Sequence, residues 1–400
     1  MKRFLAWSLA LCLLLPTLAN ADAPLRLLGV EESATPCGDD PTIRYEQVAF
    51  DIWGDPMLWI TAKNADVVYM NGRGVDLHEI LRQPELLHDL SGSAIIRAHV
   101  SRMVPWAQEL VTLADGSIRA LPMTGSVRCF SVRKDGWAAA GFTDADMPRS
   151  YEELLTFLEK WCDRLEDNPN QPARVCDLTY WNTGTASSNH GYWLMELLLT
   201  SHALQWHHAG EPLRFDTPEF VEAARRTREV GQRLYRLEPR GSRAEKLPVL
   251  FHNSLNMGRP GNDDLDYELS CAVPMRLSNT QPPLMLVQTH VLVIPADATQ
   301  PENALRFLEN RVQSIPWFSQ AELFADFAPG QYEYEGGWPV FVGEGWLAEY
   351  HSWEGEYHCA PNVFGTNQRG VTGSEKYLLQ FLKKEITAGQ FAQRLDALVE

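Results

Sequence analysis

Positive charge is scarce in this sequence of 400 residues. Lys and Arg together number 35 against 52 Asp and Glu, so the formal net charge is −17, and no run of Lys or Arg is longer than a pair. Nucleic acids are bound by clustered cations that neutralise the backbone phosphates. The sequence therefore predicts no nucleic-acid partner.

The motifs of metal centres and of common hydrolases are also missing. The chain contains no Cys-x-x-Cys, Cys-x-x-His or His-Glu-x-x-His pattern and no Gly-x-Ser-x-Gly motif. His202 and His207 are five residues apart, and at 3.6 residues per turn this spacing places them on different faces of a helix. We therefore expect no metal, no cofactor and no enzymatic activity. An exported hydrolase is the less favoured alternative.

No apolar run is long enough to span a membrane. The run at the start, Phe4 to Leu15, falls well short of the roughly 20 residues that a spanning helix needs. It follows the positively charged Lys2 and Arg3, and a small-x-small segment occupies positions 19–21. We interpret residues 1–21 as a signal peptide cleaved near Ala21, with an uncleaved N-terminal anchor as the alternative. The mature protein is then expected to be soluble, monomeric and periplasmic or secreted.

Six cysteines remain once this segment is removed, and an even number in an oxidising compartment favours disulfide bonds. Cys162 and Cys176 flank a polar loop that contains two prolines, so we predict a bridge between them. Buried free thiols are the alternative for Cys129 and Cys271, which lie in apolar runs. The cysteines whose pairing stays open are Cys37, Cys129, Cys271 and Cys359.

Apolar runs of strand type alternate with helical patterns along the rest of the chain. Ser150 followed by Glu153 forms a capping box that predicts the start of a helix, and Pro after Thr217 predicts the start of another. The segments with strand character are 25–30, 65–70, 118–123, 127–132 and 287–294, and the segments with helical spacing include 77–90 and 301–312. This alternation predicts an α/β fold of parallel sheet flanked by helices.

Four segments, in this order, resemble the extracellular solute-binding proteins of ABC importers, in the sugar-binding branch that includes the maltose-binding type. They are Ala65–Tyr69, like the family's strand that ends at the ligand cleft; Leu121–Asp135, like its crossing between lobes; Met147–Leu154, like its Pro-(Lys/Arg)-Thr-Trp-(Asp/Glu)-Glu-Leu pattern; and Val291–Leu308, like its return strand and following helix. The resemblance in segment order extends over about residues 25 to 400.

The resemblance implies a two-lobed periplasmic-binding-protein fold of type II, in which each lobe is a mainly parallel sheet flanked by helices. The chain is expected to cross between lobes near Gly125 and to return near Val287. Lobe one would then hold residues 24–124 plus 288–320, and lobe two residues 125–287 plus 321–400. A solute enclosed between the lobes favours the closed form because it contacts both lobes only there. The implied partner of this form is the permease of an ABC transporter.

The implied ligand is a small polar solute, a sugar or oligosaccharide, with a polyamine, amino acid or peptide as the alternative. Aromatic faces stack on the apolar face of a sugar ring while amides and charged groups bind its hydroxyls. Residues 181–193 are rich in both kinds of side chain, although Tyr192 and Trp193 could instead begin an apolar helix. The predicted ligand-binding residues are Glu31, Glu32, Asn71, Arg73, Ser126, Trp181, Asn189, Tyr192, Arg259, Asn262, Trp353 and Phe364.

Overall fold

The computed structural model describes residues 23–29, 43–48, 60–61, 65–71, 80–83, 85–132, 134–176, 190–239, 241–254, 276–313, 323–328, 330–334, 338–342, 358–361 and 374–399. Within these ranges strands and helices alternate along the chain, as the sequence predicts for an α/β fold.

The strands are β1 (Leu25–Leu28), β2 (Tyr45–Val48), β3 (Val67–Asn71), β4 (Leu121–Val132), β5 (Arg174–Cys176), β6 (Val249–Ser254), β7 (Leu284–Val293), β8 (Gly330–Tyr334), β9 (Trp338–Val342) and β10 (His358–Pro361). The helices are α1 (Ala94–Val100), α2 (Pro105–Val111), α3 (Lys134–Ala139), α4 (Tyr151–Asp167), α5 (His190–Ala209), α6 (Pro218–Leu237), α7 (Ser242–Glu245), α8 (Pro301–Gln313), α9 (Glu375–Leu382) and α10 (Ala388–Val399), with a short 3-10 turn at Asp144–Asp146.

Eight of the described strands form one continuous sheet in the order β2-β1-β3-β7-β4-β6-β5, with β10 also paired to β7. Pairing is parallel for β1 with β2 and β3, for β5 with β6 and for β10 with β7. The long strands β4 and β7 pair antiparallel with each other, and each also pairs antiparallel with one further strand, β6 and β3 respectively. Strands β8 and β9 form a separate hairpin.

Two apolar cores lie on this sheet, and they give the protein two lobes. The first core takes its side chains from β1, β3, α1, α2 and α8, and the second from α4, α5, α6, α9 and α10. Strand β7 contributes to both, because Leu284 and Leu286 pack in the second core while Met285 and Val287 pack in the first. Successive side chains of a strand point to opposite faces, so one segment of β7 supports both cores.

Strand β4 is longer than the sequence predicts. Two separate strands were expected on either side of Gly125, but the structure has one strand from Leu121 to Val132. The backbone of Gly125 pairs with Thr289 of β7, so the glycine is held in the ladder and does not break it. The only register shift along this pair lies between Pro122 and Thr124. Proline carries no amide hydrogen to donate, and strands commonly bulge at such a residue.

The buried carboxylate of Asp66 joins three parts of the first lobe. One oxygen accepts the backbone N–H of Arg26 at 3.0 Å. The other accepts the N–H and hydroxyl of Thr299 at 2.7 and 2.8 Å and the N–H of Gln300 at 3.1 Å. Thr299 and Gln300 immediately precede α8, whose first N–H groups have no partner within the helix. Asp66, which immediately precedes β3, therefore fixes the segment that leads into α8 and joins it to β1.

Two predicted helix starts in the second lobe are confirmed. The hydroxyl of Ser150 accepts the N–H of Glu153 at the start of α4, and Thr217 accepts the N–H of Phe220 at the start of α6. The carboxylate of Glu153 reaches back to the N–H of Arg149 at 2.7 Å, one residue before the cap. Both helices then bury one apolar face in the second core.

The helix predicted over residues 77–90 is wrong in its second half. The helical residues described here end at Leu81, and turns follow at positions 82 and 85–86 before the chain meets the end of β7. Leu87 forms a bridge with Pro295, and the N–H of His88 donates to Ile294 at 2.8 Å. Pro84 explains the difference, because proline removes a helix hydrogen bond and disfavours helical backbone in the residue before it.

The predicted lobe boundary at residue 320 stays a prediction, although two residues beyond it pack in the first core. Leu323 and Phe324, which the sequence assigned to lobe two, are buried in the first core. The N–H of Val104 donates to the carbonyl of Leu323 at 2.8 Å, and Met103 forms a bridge with Phe324. These bonds join residues 323 and 324 to the segment before α2.

The predicted bridge between Cys162 and Cys176 is contradicted. Cys162 is a free thiol with no exposed surface, and it packs in the second core on the inner face of α4. Val175 of the neighbouring strand β5 shares that core. Burial raises the pKa of the Cys162 thiol to about 12. The residue acts as a small apolar group in the core.

Candidate functional site

In the first lobe, the carboxyl ends of three parallel strands lie at one edge of the sheet. Strands β1, β2 and β3 are parallel, and β3 ends at Asn71, opposite His290 of β7. Ligands of α/β proteins bind outside the carboxyl ends of such strands. Glu31 and Glu32 follow the end of β1 in sequence, and Arg73 follows the end of β3.

In the second lobe, the parallel strands are directed towards the same place. Strand β6 runs antiparallel to β4, with its last residue, Ser254, opposite Cys129. Its carboxyl end therefore faces the middle of β4, as does that of β5, which is parallel to β6. Strand β10 runs parallel to β7 and ends at Pro361, opposite Val287. The strand ends of both lobes thus converge on the middle of the β4–β7 pair.

A row of polar residues occupies this middle part of the pair. His290 of β7 lies opposite both Asn71 of β3 and Thr124 of β4, and Ser126 lies opposite Gln288. The hydroxyl of Tyr69 forms a hydrogen bond with Nδ1 of His290, and their rings are tilted at a centroid distance of 5.4 Å. Both side chains are only partly buried. We call these positions the crossing site: Tyr69, Asn71, Thr124, Ser126, Gln288 and His290.

Two predicted residues, Asn71 and Ser126, occupy backbone positions of the crossing site. Tyr192 lies on α5, is 6% exposed and packs in the second core. That placement fits the alternative in which it begins the apolar helix, and its contact with a solute stays a prediction. The remaining predicted residues lie outside the described part of the chain: Glu31, Glu32, Arg73, Trp181, Asn189, Arg259, Asn262, Trp353 and Phe364.

Sequence reasoning missed Tyr69 and His290. The available signal was the polar triplet Gln288-Thr289-His290, which interrupts an otherwise apolar strand. Polar residues in the interior of a buried strand need partners, and His290 finds one in Tyr69.

One histidine of α5, His202, is held in an apolar setting, whereas His207 and His208 are exposed. His202 is 2% exposed, and its Nε2 lies 2.7 Å from the carbonyl oxygen of Arg214. Burial lowers the pKa of His202, and burial followed by the charge of Arg82 lowers the pKa of His207.

Within the described ranges no three Asp, Glu, His or Cys residues are grouped so that they could hold a metal ion. Over the same ranges no helix has the length and apolarity to cross a membrane.

No family model and no curated protein sequence matches the chain. Solved structures do match, each at low sequence identity. Maltose-bound MalE3 of T. maritima is 14% identical, covers 94% of this chain and 98% of its own, and has a TM-score of 0.58. A sugar transporter protein of Bacillus licheniformis in complex with stachyose is 13% identical, with coverage of 93% and 97% and a TM-score of 0.58. The solute-binding protein RafE in complex with raffinose is 11% identical, with coverage of 94% and 98% and a TM-score of 0.54.

These likenesses extend over nearly the whole length of both chains. They agree with the two apolar cores and with the long pair of strands β4 and β7 between them. This chain has the two-lobed α/β fold of the solute-binding proteins of ABC importers.

Proposed function

We propose that this protein captures a small sugar or oligosaccharide between its two lobes and delivers it to the permease of an ABC importer. One observation carries the proposal: the carboxyl ends of the parallel strands of both lobes converge on the polar crossing site. The solved structures that share this fold include complexes with maltose, stachyose and raffinose.

The solute contacts are proposed to come from both lobes. Lobe one supplies Glu31, Glu32, Asn71 and Arg73, whose carboxylates, amide and guanidinium suit sugar hydroxyls. Ser126 contributes from β4. Lobe two supplies the aromatic and amide groups, which are Trp181, Asn189, Tyr192, Arg259, Asn262, Trp353 and Phe364. A solute that bridges the lobes stabilises the closed form by its extra contacts there.

The lobe division of the sequence, with its end moved beyond Phe324, is part of this proposal. The two separate apolar cores support it. We also propose that residues 1–21 are removed on export and that the mature protein acts as a periplasmic or secreted monomer. The protein binds its solute without converting it.

The proposal is tested with a panel of solutes: maltose, raffinose, stachyose, chitin oligosaccharides and galactose, together with putrescine, amino acids and dipeptides. A bound solute at 100 times its Kd stabilises the protein by about 2.7 kcal/mol and raises Tm. Small-angle scattering should then show a smaller radius of gyration as the lobes close. A panel in which only polyamines or peptides bind would overturn the sugar assignment and leave a binding protein. Conversion of the sugar during incubation, followed by chromatography, would instead identify a hydrolase.

Variants locate the site once a sugar is found. Trp181→Ala should weaken binding about two- to tenfold, since a well-placed aromatic contact contributes about 0.5–1.5 kcal/mol beyond the area that it buries. Tyr235→Ala is the matched control, because this aromatic residue is 45% exposed on α6. Unchanged affinity in both Trp181→Ala and Arg73→Ala would show that the proposed contacts are wrong.

A further inference from the structure

The second lobe contains a cavity of about 430 Å³ that the proposed function does not use. It lies between the last turns of α5, the first turn of α6 and the segment 277–282. None of the described residues that line it belongs to the crossing site. Small-molecule sites in proteins typically have volumes of about 300–1,000 Å³, so the cavity is large enough for a ligand.

Hydrogen bonds hold the walls of the cavity in place. The amide of Gln205 on α5 donates to the carbonyl of Pro282 at 3.0 Å, which ties the helix to the facing segment. Gln281 accepts the N–H of Leu277 at 2.7 Å, which closes that segment on itself. His202 is fixed by its bond to the carbonyl of Arg214. The cavity is therefore preformed, which lowers the entropy cost of binding a ligand.

One wall carries a buried polar atom without a partner. Nδ1 of His202 makes no hydrogen bond to any residue that the structure describes, although the side chain is 2% exposed. The ring itself packs beside those of Trp206, Phe215 and Phe220, at centroid distances of 5.9, 5.3 and 4.8 Å. Such a group in a native core needs an explanation, such as a water or a ligand nearby.

Two of the residues that line the cavity carry carboxylates, and the guanidinium of Arg276 lies next to the lining, where it donates to the carbonyl of Gln281 at 3.4 Å. Glu211 and Glu219 line it and are exposed, and the described lining includes no Lys or Arg. Burial lowers the pKa of His202, so its imidazole is uncharged near neutral pH and does not repel a cation. The negative charges of Asp396 and Glu219, on neighbouring helices, work against this effect of burial and raise the pKa of the same imidazole. The indole of Trp206 adds an aromatic face, and aromatic faces attract cations.

We propose that this cavity binds a small organic cation with a flat apolar body, held by Trp206 and by the carboxylates of Glu211 and Glu219. The apolar body fills the space between the indole and Pro282, and the ammonium or amidinium group lies at the rim beside the carboxylates. This site is independent of the proposed sugar site, and it stands whether or not a sugar binds between the lobes.

Benzamidinium is the probe, and benzamide is its neutral counterpart of nearly the same shape. Titration calorimetry is run at pH 8 and at low salt, because salt screens the exposed carboxylates. We expect benzamidinium to bind at least tenfold more tightly than benzamide. Equal affinity for the two compounds, or no binding of benzamidinium at millimolar concentration, would overturn the inference.

Variants place the probe within the molecule. Glu219→Gln and Glu211→Gln should each weaken benzamidinium binding about three- to tenfold, and Trp206→Ala should weaken it more. Glu229→Gln lies on the same helix as Glu219, outside the described cavity lining, and should leave the affinity unchanged. Thermal melts confirm that each variant folds. Loss of binding in Trp181→Ala with full binding in the three cavity variants would place the cation between the lobes and refute the proposed site, without affecting the sugar proposal.

Discussion

Removal of the Asp66 carboxylate should destabilise the first lobe far more than its single negative charge suggests. Asp66 is 1% exposed and accepts three backbone N–H groups and one hydroxyl. Those donors belong to β1 and to the two residues before α8, so one side chain joins segments more than 200 residues apart. Asp66→Ala leaves all four donors without this acceptor.

The expected magnitude follows from those bonds. A buried donor that loses its acceptor costs about 1–3 kcal/mol, and bonds to charged groups lie at the upper end. The donors at 299 and 300 lie at a helix start, where water can replace part of the loss. We expect Asp66→Ala to lower the free energy of unfolding by about 4 kcal/mol. Asp66→Asn keeps one oxygen but turns the other into a donor, so about 2 kcal/mol is expected.

The assay is urea unfolding followed by circular dichroism, combined with hydrogen exchange read by mass spectrometry. Peptides that contain Arg26, Thr299 and Gln300 should lose protection in Asp66→Ala. Asp326→Asn is the control in the same lobe, because its ion pair with Arg102 is more than half exposed on both sides; its effect should stay within about 0.5 kcal/mol. If Asp66→Ala is no more destabilising than this control, Asp66 does not hold β1 and the segment before α8 together.

Three further predictions concern single side chains. Tyr151→Phe removes a buried hydroxyl that bonds the carbonyl of Leu194 at 2.9 Å and the hydroxyl of Thr227 at 2.7 Å. Urea unfolding should show a loss of about 1.5 kcal/mol, and a smaller loss for Tyr235→Phe, because Tyr235 is 45% exposed. Cys162, as a buried thiol of raised pKa, should resist iodoacetamide at pH 8 in folded protein and react in urea, as peptide mapping would show; rapid labelling of the folded protein would contradict its burial. Burial, and to a smaller extent the charge of Arg102, lowers the pKa of His99 to about 4. The imidazole of the unfolded chain, with its ordinary pKa of about 6.5, is therefore protonated at a higher pH than that of the folded protein. The free energy of unfolding should fall by up to about 3 kcal/mol as the pH falls from about 6.5 to about 4. His99→Gln should flatten that part of the stability–pH curve, and an unchanged slope would refute the assignment.

The sequence predicts those parts of the fold that depend on local chemistry. The starts of α4 and α6 follow from Ser150 and Thr217, whose hydroxyls bond groups three residues away. Partners distant in the chain leave no such signal. The helical spacing of residues 77–90 does not indicate that Leu87 pairs with Pro295. Gly125 predicts an interruption between two strands, and only its pairing with β7 shows that the strand is continuous.

The candidate site divides in the same way. Asn71 and Ser126 could be predicted because strand ends and crossings are visible as changes from apolar to polar residues. The pair of Tyr69 and His290 could not, since the two residues are 221 positions apart and meet only through the register of β3 against β7. Cys162 and Cys176 suggested a bridge by their spacing, but the spacing does not show that Cys162 faces an apolar core.

Because β7 contributes side chains to both cores, it determines whether either lobe can be produced without the other. Four consecutive residues of this strand, Leu284 to Val287, alternate between the two cores. A gene fragment that encodes either lobe alone must therefore either omit these residues, and leave holes in its own core, or include them, and expose apolar side chains meant for the other. The lobes are consequently not separable modules. A lesion in this strand should weaken both at once, and recombination with a relative would have to exchange the strand together with both of the cores that it supports.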